Sequence, residues 1–103
     1  LHTTRNGIKA FGIYNGENFE VLEGSEINMS KEVNIKKYNV QRKELLDNGG
    51  IVLSADGKYV LTTTITFNYP SGASDFVIGG STNGWVEWKD ANGKTLDSIF
   101  RSN

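Results

Sequence analysis

Residues 34–67 run NIKKYNVQRKELLDNGGIVLSADGKYVLTTTITF, and along them the apolar period changes from helical to alternating. Ile35, Tyr38, Leu45 and Leu46 recur at helical spacing. Asn34 stands where a side chain can cap a helix start, and Gly49 can take the left-handed conformation just past its end. The spacing therefore predicts an amphipathic helix over 34–48. Beyond it, residues 51–53 and 59–67 are rich in β-branched and aromatic side chains around the turn signal Asp56-Gly57, which predicts a hairpin. A helix running straight into a hairpin makes the class α+β.

Both flanks extend this pattern. Upstream, residues 9–14 and 18–22 alternate around Asn15-Gly16, the clearest hairpin turn in the chain, with Phe11, Ile13, Phe19 and Val21 expected on its buried face. Residues 24–32 read as a polar connection. Downstream, Pro70 suits the first turn of a helix that Gly79-Gly80 would stop, with Ala73, Phe76 and Val77 on its inward side. Residues 85–89 then read as a strand after an Asn83-Gly84 turn. Residues 95–100 are either its partner beyond Asn92-Gly93 or a last short helix, because Leu96, Ile99 and Phe100 fit a helical face. The expected architecture is a small antiparallel sheet built from hairpins, with two main helices packed on it. Its 103 residues suit one domain, and the start at Leu1 rather than methionine points to an accessory domain cut from a larger protein.

Composition excludes several functions. With 37% hydrophobic and 22% charged residues the chain can bury enough apolar surface to fold. It has no cysteine and one histidine, His2, so a thiolate metal site cannot form and a histidine-activated nucleophile has one terminal candidate. Asp75, Glu87, Asp90 and Asp97 are close in sequence but show no ligand spacing, and they read as surface charge and turn caps. No catalytic residue, metal or cofactor is expected, so the protein is not read as an enzyme. No apolar run reaches the ~20 residues that span a bilayer, and nothing resembles a signal peptide. A cytoplasmic protein without a membrane partner is the expectation.

Eleven basic against twelve acidic side chains give a formal charge of -1, so any nucleic-acid contact must come from a local patch. The best candidate is the basic stretch from Lys31 to Arg42, leading into a helix on which Lys36, Lys37, Arg42 and Lys43 outnumber Glu44 and Asp47. Such cations displace phosphate counterions, and Tyr38 within the stretch can stack on a base. On a strand, Trp85 and Trp88 would face opposite ways, one in the core and the other exposed for stacking on a base or a sugar. The tripeptide Gly12-Ile13-Tyr14 matches half of the GIY-YIG nuclease signature. No Tyr-Ile-Gly partner follows, and it belongs to the first hairpin.

The run Tyr69-Pro70-Ser71-Gly72-Ala73 through Asn83-Gly84-Trp85-Val86-Glu87-Trp88-Lys89, continued by Gly93-Lys94-Thr95-Leu96, resembles the signature of a bacterial domain family of unknown function. That family occurs C-terminal to GIY-YIG-type nuclease domains and in restriction-related proteins. Phe19 to Ser25 resembles its early segment, and Arg42, Leu45 and Gly49-Gly50 fit its middle helix, so the likeness covers most of the chain. The Pro-Ser and Asn-Gly-Trp block is also similar to restriction-enzyme and adenine-methylase associated (RAMA) domains. Tyr69 stands in place of a capping serine, and Gly72 and Ser74 in place of alanines. The resemblance implies a DNA-binding or DNA-sensing module covalently linked to a nuclease, and the contacts expected for such a module here are Lys36, Lys37, Arg42, Lys43, Asn83, Trp85 and Lys89. Two rival readings are a protein docking or oligomerisation module and a carbohydrate-binding module using Trp85 or Trp88.

Overall fold

A computed structural model describes residues 1–101. The strands are β1 (His2–Thr3), β2 (Ala10–Tyr14), β3 (Phe19–Val21), β4 (Glu26–Ile27), β5 (Ile51–Leu53), β6 (Tyr59–Leu61) and β7 (Ile65–Phe67). The helices are α1 (Lys36–Asn48), α2 (Pro70–Ile78), α3 (Gly84–Glu87) and α4 (Leu96–Phe100). All strand pairs are antiparallel, in a four-stranded sheet ordered β1-β2-β3-β7 and a three-stranded sheet ordered β4-β6-β5. The expected α+β class is what forms, with two sheets rather than one.

The first hairpin turns at Asn15-Gly16 as expected, and the Asn15 Oδ1 accepts from the main-chain N–H groups of Glu17 and Asn18 at 2.8 and 2.7 Å. Its buried face differs on β2. Gly12 lies opposite Val21 and Tyr14 opposite Phe19, which sends Ala10, Gly12, Phe19 and Val21 inward. Phe11 and Ile13 point out and are 45% and 52% exposed. Parity is set by the Phe19 ring, which covers Gly12 so closely that a Cβ there would sit 2.1 Å from its Cε1. Because side chains alternate along a strand, the neighbours of Gly12 must face away.

Two boundaries also change. The polar segment 24–32 contains β4, whose Ile27 is buried, and the buried Ser25, whose hydroxyl bonds both the N–H and the C=O of Phe11. Residues 59–67 are two strands: the chain bends at Thr62, whose hydroxyl donates to the Gly49 carbonyl at 2.7 Å, and β7 crosses to the other sheet. The Asp56-Gly57 turn between β5 and β6 forms as expected, and α1 ends at Gly49 in the left-handed conformation with φ 84°. The α1 start differs: Ile35 occupies the cap position and no side chain bonds there.

Helix α2 is the centre of the molecule, buried from Gly72 to Ile78, with Ala73, Phe76 and Val77 inside as expected. A buried helix end must find partners for its last four carbonyls. Here all four are satisfied. Asp75 O accepts from Gly79 N, Val77 O from Asn28 N, and Ile78 O from the Asn28 amide; Phe76 O takes both Nε and Nη2 of Arg42, at 2.9 and 2.6 Å. At the other end the Trp88 indole donates to Pro70 O at 3.1 Å, and the backbone of Gly84 packs so closely that a Cβ would lie 2.2 Å from Pro70 C.

Of the segment expected as a strand over 85–89, residues 85–87 are helical, whereas Trp88 is extended and Lys89 bridges to His2 and Thr95. Asn83 is the N-cap of α3, its side chain accepting from Trp85 N at 3.1 Å, because Asn-Gly here serves a helix start rather than a hairpin. Residues 95–100 resolve to the helix alternative, yet both signals are used. Thr95 forms a bridge with Lys89 beyond the Asn92-Gly93 turn and then caps α4 through its hydroxyl, which accepts from Ser98 N.

Candidate nucleic-acid interface

Lys36, Lys37 and Lys43 all lie on the exposed side of α1. Among the described residues the ion pairs are Arg5 with Glu87 and Arg101 with Asp97, so none of the α1 lysines is neutralised by a carboxylate contact. Lys37 borders an open groove of about 310 Å³ between α1 and β7, lined by Lys37, Tyr38, Gln41, Thr66, Phe67 and Asn68. The lysine ammonium sits 5.2 Å from the Tyr38 ring centroid, and that ring meets Phe67 edge-on at 5.7 Å. Burial and then the charge of Asp75 push the Tyr38 phenol upward, so it stays a neutral hydrogen-bond donor at ordinary pH. The Tyr38 hydroxyl occupies the space a Cβ on Gly72 would need, 2.4 Å away, which accounts for glycine where the resembled pattern has alanine.

The groove carries a cation, a phenol and two carboxamides, with no acidic side chain in its lining. Such a surface offers donors to a phosphate and amides to a polar edge. Just beyond Asn68, Tyr69 is 71% exposed and makes no side-chain cap for α2, so replacing a capping serine leaves its ring open to solvent. Gln41, Thr66 and Asn68 went unpicked by sequence reasoning, since polar residues on a helix and a strand end carry no local signal that they converge. Tyr69 had one: it breaks the resembled pattern.

The other predicted contacts scatter. Arg42 is only 3% exposed; besides its two bonds to Phe76 O it donates to Lys31 O at 2.8 Å. Burial lowers its pKa to about 10, so the guanidinium remains charged at neutral pH; its hydrogen-bond acceptors are main-chain carbonyls, and it lies 5.8 Å from the Phe76 ring centroid. The side chain thus caps the C-terminus of α2, where a cation also suits the helix dipole. Trp88 is the fully buried member of the tryptophan pair. Trp85 is half-buried, held edge-on by Tyr14 at 5.5 Å and covered by the Arg101 guanidinium at 4.6 Å, so its ring is not an open stacking platform. Asn83 is exposed and engaged as a cap, and Lys89 is exposed but its backbone pairs with His2.

The four carboxylates serve separate local purposes. Asp75 accepts from the N–H and hydroxyl of Thr82, both at 2.7 Å; Glu87 pairs with Arg5; Asp90 holds the Asn92-Gly93 turn; Asp97 pairs with Arg101 at 3.4 Å. Among the described residues no group of three or more histidine, cysteine, aspartate or glutamate side chains could hold a metal ion, and no helix is long and apolar enough to cross a membrane.

The fold and surface define a small α+β module with a donor-rich open groove. The chain belongs to the family described as a domain of unknown function, DUF4357, whose model matches residues 1–100. No curated protein and no solved structure matches it.

Proposed function

We propose that this protein is a non-catalytic accessory domain that binds DNA through the exposed face of α1, within a larger nuclease or restriction-related protein. The observation that carries this reading is that Lys36, Lys37 and Lys43 are exposed and without ion-pair partners among the described residues, with Lys37 at the head of a groove that has no acid in its lining and Lys43 beside a second groove on the other flank of α1. Free ammonium groups release condensed counterions when they meet phosphates, and this term supplies most sequence-independent DNA affinity. The link to a nuclease rests on the resemblance of the 69–96 segment. Arg42 leaves the contact set because it is buried; Trp85 leaves it because its ring is already occupied. The same occupancy removes the motive for carbohydrate binding.

The test is fluorescence anisotropy with single- and double-stranded oligonucleotides at low salt. Replacing Lys36, Lys37 and Lys43 together by glutamine is expected to weaken binding on the order of tenfold or more while leaving the melting temperature unchanged, since surface substitutions stay within about 0.5 kcal/mol. Absence of binding by the unaltered protein at low salt contradicts the proposal.

A second reading has its own observation. Phe11 and Ile13 form an apolar pair on the outward face of β2, opposite Glu20 on β3. If that pair docks two copies, sedimentation equilibrium will show concentration-dependent association that Ile13→Glu abolishes. A monomer at all accessible concentrations rejects this docking role.

A further inference from the structure

We propose that the open edge of β7 accepts an extended acidic peptide as an added strand, with α1 as the opposite wall of the groove. Hydrogen-bond parity decides which main-chain groups of the sheet face outward. Leu22 N donates to Phe11 O and Asn15 N to Asn18 O, so residues 11/22, 13/20 and 15/18 are the hydrogen-bonded pairs of the first hairpin. Glu20 therefore turns its main-chain groups toward β2, while Phe19 and Val21 turn theirs toward Phe67 and Ile65. Thr66 is left with its N–H and C=O directed away from β3, and the main chain of Asn68 likewise has no bond among the described residues.

The two edges of this sheet are treated differently. The β1 edge is closed, because His2 and Lys89 exchange both of their main-chain bonds, at 2.8 and 3.0 Å. The β7 edge is open, exposed at Thr66, and faces the groove whose other wall is Lys37, Tyr38 and Gln41. A free strand edge beside a helix is the arrangement used for strand addition, in which main-chain bonds give affinity and the helix wall reads alternate side chains. Charge selects the occupant. Lys37 lines the groove and no acid does; Glu20 stands opposite Thr66 on β3, one strand further in.

This inference rests on the main chain of β7 and stands apart from DNA binding, although both readings use Lys37. The test takes the full chain, isotopically labelled, and titrates it with a short blocked peptide alternating glutamate with valine and threonine, alongside a lysine counterpart. Expected are shifts centred on the Thr66 and Asn68 amides, hydrogen exchange at Thr66 slowed at least about tenfold, and preference for the acidic peptide that Lys37→Glu inverts. Thr66→Pro removes a donor that the fold does not use. It is expected to abolish peptide binding with the rest of the spectrum intact; should this variant unfold, exchange at Thr66 in the unaltered protein decides. Binding without protection of Thr66, equal binding of the lysine peptide, or perturbation of these amides by an oligonucleotide but by neither peptide overturns the proposal.

Discussion

Replacing Arg42 by methionine will destabilise the protein by about 1–3 kcal/mol, without lowering the DNA affinity of the molecules that remain folded. The side chain is 3% exposed and gives three hydrogen bonds, two to Phe76 O and one to Lys31 O. Methionine keeps much of the packing but leaves the buried Phe76 carbonyl and the part-buried Lys31 carbonyl without this donor, at a cost of about 1–3 kcal/mol for a buried group. Lysine should rescue little, since an ammonium lacks the planar fork that spans both carbonyls. In a chain of this size each kcal/mol moves the melting temperature by about 4–8 °C. Thermal denaturation followed by circular dichroism reads the loss directly. A variant as stable as the parent, but weakened in DNA binding, would return Arg42 to the contact surface.

The second large effect is expected at Trp88. Its ring is fully buried, tilted against Phe19 with centroids 4.4 Å apart, and its indole N–H holds the Pro70 carbonyl at the start of α2. Trp88→Ala removes the largest side chain of the core and is expected to cost roughly 3–5 kcal/mol, a large share of the total stability of a small domain. Trp88→Phe should recover the ring contact while still leaving Pro70 O without its donor, and so fall between the two. Urea unfolding monitored at Trp85 ranks the three proteins. Equal stability of the alanine and parent proteins would show that the Trp88 indole does not anchor the start of α2.

These two residues also show where the sequence was legible. The hairpin at Asn15-Gly16, the helix ending at Gly49 and the helix starting at Pro70 were readable because turn chemistry and period are local properties. The orientation of β2 was not, because it depends on Phe19 needing the empty side of Gly12, a contact between strands. The Asn83-Gly84 pair misled for a related reason: the same residues that turn a hairpin also cap a helix, and contact with Pro70 and Ser71 selects the second use. Arg42 misled most. Its charge groups it with the lysines, but on a helical wheel it falls on the apolar stripe, four residues after Tyr38 and three before Leu45, and the Phe76 carbonyl at the end of α2, distant in sequence, receives it there. The lysines at 36, 37 and 43 were legible as a basic surface, whereas the groove beside Lys37 depends on α1 and β7 being brought together by Tyr38 and Phe67.

The most direct test of the central claim is the salt dependence of DNA binding by the unaltered protein and by the variant carrying glutamine at positions 36, 37 and 43. If the α1 lysines meet phosphates, the logarithm of affinity falls linearly with the logarithm of salt concentration, and the variant slope is shallower by roughly 0.9 for each lysine engaged on duplex DNA. Identical slopes for the two proteins, or affinity indifferent to salt, would contradict it.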